Sequence, residues 1–192
     1  SEINEPTYSA AIYIHDDPKL KLQQMEAQIN DTSDRTKRFV YLPSAAKAAL
    51  EAGDNTKAEA YAIEGLKLAD AVAERHMRYH TPRPKAGTGK ADYYCNFVLG
   101  RLAILRGDVR LAEKYSLLSG QTAGDAVLNS YGPNLSLALE ILKKGDASSR
   151  QSILSFLDEI RSFWKITPQV IDEWVADIQA GTLPDFKQQL YY

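Results

Sequence analysis

The sequence predicts an all-α protein, and three observations carry the prediction. Ala and Leu together number 45 against 28 for Val, Ile and Thr, a balance that favours helices over strands. The 11 Gly and 8 Pro fall mostly between segments of helical periodicity. One pattern, a helix closed by Gly-Asp with a second helix following at once, recurs three times.

The elements follow in order. Residues 1–17 read as an irregular lead-in with no basic stretch ahead of an apolar one, so no targeting signal is seen. The cytoplasm is the expected compartment, with a removed signal peptide as the alternative. Pro18 suits the first turn of a helix reaching about Asn30, with Leu22, Met25 and Ile29 at helical spacing. Residues 31–34 break that pattern and offer a cap for the next helix.

The three Gly-Asp segments are AAKAALEAGDNTKAEAYAIEGL at 45–66, LGRLAILRGDVRLAEKYSLLSG at 99–120 and LALEILKKGDASSRQSILSFLD at 137–158. Gly53, Gly107 and Gly145 each suit the left-handed residue that closes a helix. Asp54, Asp108 and Asp146 are placed to cap the helix that follows. Seven residues before the glycines stand Ala46, Gly100 and Ala138; three before stand Leu50, Ile104 and Leu142. Small residues at fixed points let paired helices approach closely. The second helix of the first segment continues from Thr56 to about His80 on the stripe Ala58, Ala62, Leu66, Ala69, Ala73 and Met77. Ile153, Phe156, Leu157, Ile160 and Trp164 close the third. A last helix over 168–180 presents Ile171, Trp174, Val175 and Ile178 as a cap, and a tail packed through Phe186 and Leu190 ends the chain. The expected organisation is a lead-in and N-terminal helix at 1–35, three hairpins at 36–164, and a capping helix with tail at 165–192.

The spacing small-x6-Gly-x4-Ala, clearest at Gly100, Gly107 and Ala112, resembles the tetratricopeptide repeat (TPR) over residues 36–164. The stretch from Asn96 through Gly132 to Asn134 is similar to an uncharacterised group of bacterial TPR-like proteins. The chain departs from the repeat in three ways. Leu42, Asn96 and Asn134 replace the early aromatic, Arg150 replaces an Ala, and the glycines lie 54 and then 38 residues apart. The resemblance implies that the first helix of each hairpin lines a concave binding surface. It turns Val40, Pro43, Lys47 and Glu51 inward from the first copy, Tyr94, Phe97, Arg101 and Leu105 from the second, and Leu135, Leu139 and Lys143 from the third. The complete Lys/Asn carboxylate clamp of chaperone-binding TPRs is missing.

Composition excludes several classes. With 44% apolar and 25% charged residues the chain is not intrinsically disordered. It has no 18-residue apolar run for a membrane span. A net charge of −2 gives no reason to expect nucleic acid. The single Cys95 forbids an internal disulfide.

Chemistry is sparse. Residues 75–91, RHMRYHTPRPKAGTGKA, hold Arg75, Arg78, Arg83, Lys85 and Lys90 with no acid, a charge run suited to an anion or an acidic peptide. The embedded Gly-Thr-Gly-Lys is not a phosphate loop, because Pro84 and Ala91 stand where Gly and Ser or Thr are required. His76 and His80 share a helix face at metal-binding spacing, but no third ligand accompanies them, so no metal or cofactor is expected. Asn96 and Asn134 sit eleven residues before their glycines, where an amide bonds backbone between hairpins or offers itself to a ligand. The expected function is a protein- or peptide-binding scaffold using Tyr94, Asn96, Phe97, Arg101 and Asn134, with Lys47 and Lys143 at the rims and Arg75 and Arg78 as long-range attraction. The alternatives are a small-anion module on residues 75–90, or an enzyme centred on His76, His80 and Cys95.

Overall fold

A computed structural model describes residues 17–31, 33–78, 88–165 and 167–192, with the side chains of His76 and Met77 outside the description. The described residues are all-helical. The helices are α1 (Pro18–Asn30), α2 (Arg35–Glu51), α3 (Asn55–Arg78), α4 (Gly89–Leu105), α5 (Val109–Gly120), α6 (Ala126–Tyr131), α7 (Ser136–Lys144), α8 (Ala147–Ile160) and α9 (Pro168–Gln179), followed by a short 3-10 helix (Lys187–Leu190). None is long and apolar enough to cross a membrane.

Local chemistry explains the boundaries. The Asp17 carboxylate accepts the Lys19 amide at 2.9 Å, and Asp34 accepts that of Thr36 at 2.9 Å. The three Gly-Asp aspartates all cap: Asp54 accepts from Lys57 at 3.1 Å, Asp108 from Leu111 at 3.0 Å, and Asp146 from Ser149 at 3.1 Å. Each satisfies an amide that the first helical turn leaves without a partner. Gly53 and Gly107 adopt φ +80, as their position predicts. Gly145 does not. Its φ is −92, and a Cβ there would lie 2.0 Å from Ser149 Oγ and 2.8 Å from the Ile141 carbonyl oxygen. Its side chain is excluded by crowding rather than by handedness.

Apart from the short α6, each helix packs on the one before it in the stack, and α2 also meets α4, α4 meets α7, and α5 meets α8. The core runs through this stack on Leu42, Ala45, Ala46, Ala49, Ala58, Ala62, Val98, Leu102, Ala112, Ile141, Ile153 and Leu157. The α3 stripe is wider than its alanines suggest, since Leu68 is buried beside Ala69. Arg38 ties α2 to α3 with a two-toothed ion pair to Glu64, both contacts at 2.9 Å. Arg110 joins Glu113 of its own helix to Asp146 at the head of α8.

The end of the chain folds back. Leu135 N donates to Gln189 O at 2.7 Å, and Gln189 Nε2 donates to the carbonyls of Tyr131 and Pro133 at 2.9 and 3.3 Å. Phe186 is buried against Trp174, ring centroids 5.1 Å apart and nearly perpendicular.

Candidate binding groove

Two connected clefts lie along α2. One, of about 150 Å³, is lined by Lys21, Pro43, Ser44, Lys47, Lys90, Tyr94, Val127 and Tyr192. The other is lined by Phe39, Val40, Pro43, Lys90 and Ala91. Pro43 and Lys90 belong to both, so the two form one groove from Val40 to Lys47. Seven residues of helix cover about 10 Å, the length of about three extended residues.

Three ammonium groups from three helices come near one another in the first cleft. Lys21 comes from α1, Lys47 from the middle of α2, and Lys90 from the first turn of α4. Lys90 Nζ donates to Ser44 Oγ at 2.8 Å, and Lys47 Nζ pairs with Glu51 at 2.7 Å. The Lys21 ammonium has no hydrogen-bonded or ion-paired partner among the described residues. Burial lowers the Lys21 pKa, and Lys47 lowers it further, against an opposing pull from Glu51. Burial lowers that of Lys90 as well; Asp125 opposes it, and Lys21 and Lys47 add to it. Both acids are engaged elsewhere, Glu51 with Lys47 and Asp125 with the amide of Leu128 at 2.8 Å. Burial, with Asp125 and Glu51 nearby, pushes the Tyr94 phenol up to about 12, so at neutral pH it is a hydrogen-bonding group without charge.

The sequence expectations divide against this geometry. Lys47 and Tyr94 line the groove, and Lys90, from the basic run, joins them. Phe97 does not: at 3% exposure it is a core residue, stacked on Tyr93 with centroids 6.3 Å apart. Pro43 and Leu135 are buried too, although Pro43 still borders both clefts. Val40 and Leu105 stand exposed at 57% and 60%. Arg101 is half-buried and donates to Ser136 Oγ at 2.7 Å, linking α4 to α7. Lys143 is exposed at the end of α7, away from the groove lining. Arg75 and Arg78 are exposed on the last turn of α3; Arg75 borders a different small cleft with Arg35, Phe39 and Leu68. Residues 79–87, the centre of the basic run, lie outside the described residues.

The two asparagines part company. Asn96 Nδ2 donates to Asp92 O at 2.7 Å, within its own helix. Asn134 Nδ2 donates to backbone carbonyls of the tail, Leu190 at 3.3 Å and Tyr192 at closer range, while its Oδ1 caps α7 through Ser136 N at 2.9 Å. Of the two roles open to it, bonding backbone or facing a ligand, Asn134 takes the first, with the tail of its own chain.

Lys21 and Ser44 were missed. The signal for Lys21 was present: it flanks Leu22 and Met25 at the edge of the buried stripe of α1, where a long side chain lies along apolar surface.

The nucleophile reading of Cys95 does not survive. The thiol is fully buried against Gly65 of α3, and burial, aided by Asp92, pushes its pKa up to about 12. A buried thiol held in its protonated form is a poor nucleophile. His80 lies outside the described residues. Among the described residues no three His, Cys, Asp or Glu side chains gather as a metal site. No family model, no curated protein and no solved structure compared with the chain matches it.

Proposed function

We propose that the chain is a TPR-like array of three antiparallel helix pairs, α2/α3, α4/α5 and α7/α8, whose first-helix face binds an acidic protein segment in extended form. The contact pattern supports the array: first helices meet the next first helices, and second helices meet the first helix that follows, which is nearest-neighbour stacking. The convergence of Lys21, Lys47 and Lys90 in the cleft along α2 carries the binding reading. Burying like charges together is unfavourable, and a carboxylate seated among them offsets that cost with charge-assisted hydrogen bonds. The groove continues to Val40 beyond the lysines, which favours a segment of about three residues over an isolated anion.

A labelled oligoglutamate peptide tests this by fluorescence anisotropy. Binding should weaken at least about tenfold in Lys21→Glu/Lys47→Glu, and should fall as salt rises. The variant's circular dichroism should stay that of the parent. Equal affinity in the variant, or a Lys143→Glu variant that loses as much, would reject the groove. Complete competition by millimolar free phosphate or glutamate would reduce the ligand to a small anion.

A further inference from the structure

A second and larger cavity, of about 440 Å³, is in the range of small-molecule sites. It is formed where α9 and the tail meet the end of α8. Trp164 and Trp174 supply its aromatic wall, their rings 6.0 Å apart and 28° from parallel, with Phe186 set edge-on beside them. Glu173, Asp177 and Asp185 line it against a single cation, Lys187.

Two of its donors are spent on the protein: Trp174 Nε1 donates to Asp185 O at 3.0 Å, and Gln189 Nε2 donates to the carbonyls of Tyr131 and Pro133. The exposed Lys187 and Gln188 also border the cavity. The Glu173 and Asp177 carboxylates have no side-chain partner among the described residues, and the buried Thr167 Oγ1 has none either. A cavity walled by π-surface, with three carboxylates against one ammonium, complements a ligand that is cationic and partly apolar.

We propose that this cavity is a binding site for a small organic ammonium ion, its charge facing Glu173 and Asp177 and its carbon surface against the two tryptophans. The lysine groove carries the opposite charge and is lined by other helices, the tail bordering both.

The chain has only two tryptophans, and both line the cavity, so its intrinsic tryptophan emission reports on this site alone. The full chain is titrated with choline and with putrescine at constant ionic strength. A saturable emission change is expected with at least one of them, and none with the neutral analogue of choline in which a tert-butyl group replaces the trimethylammonium. In Glu173→Gln/Asp177→Asn the apparent affinity should drop about fivefold or more. Both side chains lack partners, so the thermal midpoint should not move; if it does, either single variant gives the same comparison. No saturable change with either amine, an equal response to the neutral analogue, or affinity unaltered by the substitutions would overturn the assignment. A response to an oligolysine peptide without one to either amine would overturn it as a small-ligand site.

Discussion

Gly107 and Gly145 hold the same place in their segments and are glycine for different reasons. Gly107 has φ +80 and open space where a Cβ would stand, so only backbone handedness matters there. Gly107→Ala should cost about 1 kcal/mol in a urea melt, and Gly107→Asn less, since Asn tolerates the left-handed region. Gly145→Ala meets Ser149, which is itself fully buried, and should cost about 2–3 kcal/mol by overpacking despite its ordinary φ. Equal losses at the two sites would contradict this division. A sequence shows only that a glycine is present, so the shared register made the three look alike. Cys95 leads to a second residue-level expectation. Its thiol is raised from 9.0 to about 12 by burial, so the folded state favours the protonated form. That contribution is fully present below the unfolded pKa and is lost as pH climbs from about 9 toward 12. Burial raises Tyr93 and Tyr94 in the same direction. Urea midpoints should therefore decline across that window, and a thiol reagent at neutral pH should label Cys95 only as fast as the protein unfolds.

At the scale of elements, helix positions and caps were legible because they depend on local chemistry. α1 and α9 begin at the prolines that announced them, and every Gly-Asp aspartate caps the following helix. The face of α4 was not legible. Tyr93, Tyr94, Cys95, Asn96, Phe97, Val98, Leu99 and Gly100 are all buried in succession, because α2, α3, α5 and α7 surround the helix. A helix buried all round loses the apolar period that separates groove from core, and so Phe97 read as a contact residue. The 126–131 helix gave no periodic signal because it is too short to show one. The lysine groove adds an expectation at this scale. The lowered Lys21 and Lys90 pKa values mean that their charged forms are disfavoured in the fold, so neutralising one relieves it. Lys21→Gln should raise the thermal midpoint in anion-free buffer while weakening the acidic probe. A lower midpoint would show that Lys21 stabilises the unliganded protein.

At the scale of the whole molecule, most contacts join neighbouring helices, and the tail is the exception. Phe186→Ala removes a buried ring from beneath Trp174 and should cost about 3–5 kcal/mol by equilibrium denaturation. The bonds from Gln189 to Pro133 bridge 56 residues of sequence, against 35 for Arg101 to Ser136 and 46 for Lys90 to Ser44 within the stack. Loops of that length close slowly compared with adjacent helices, so the array should condense first and the tail should dock onto a surface already formed. The consequence is kinetic. Contacts made after the rate-limiting barrier leave the folding rate untouched and govern only how fast the native state comes apart. In a stopped-flow chevron Phe186→Ala should shift the unfolding limb almost alone, while Leu102→Ala, in the centre of the stack, should slow folding itself. The last residues of the chain would then set the lifetime of the native state without helping to find it.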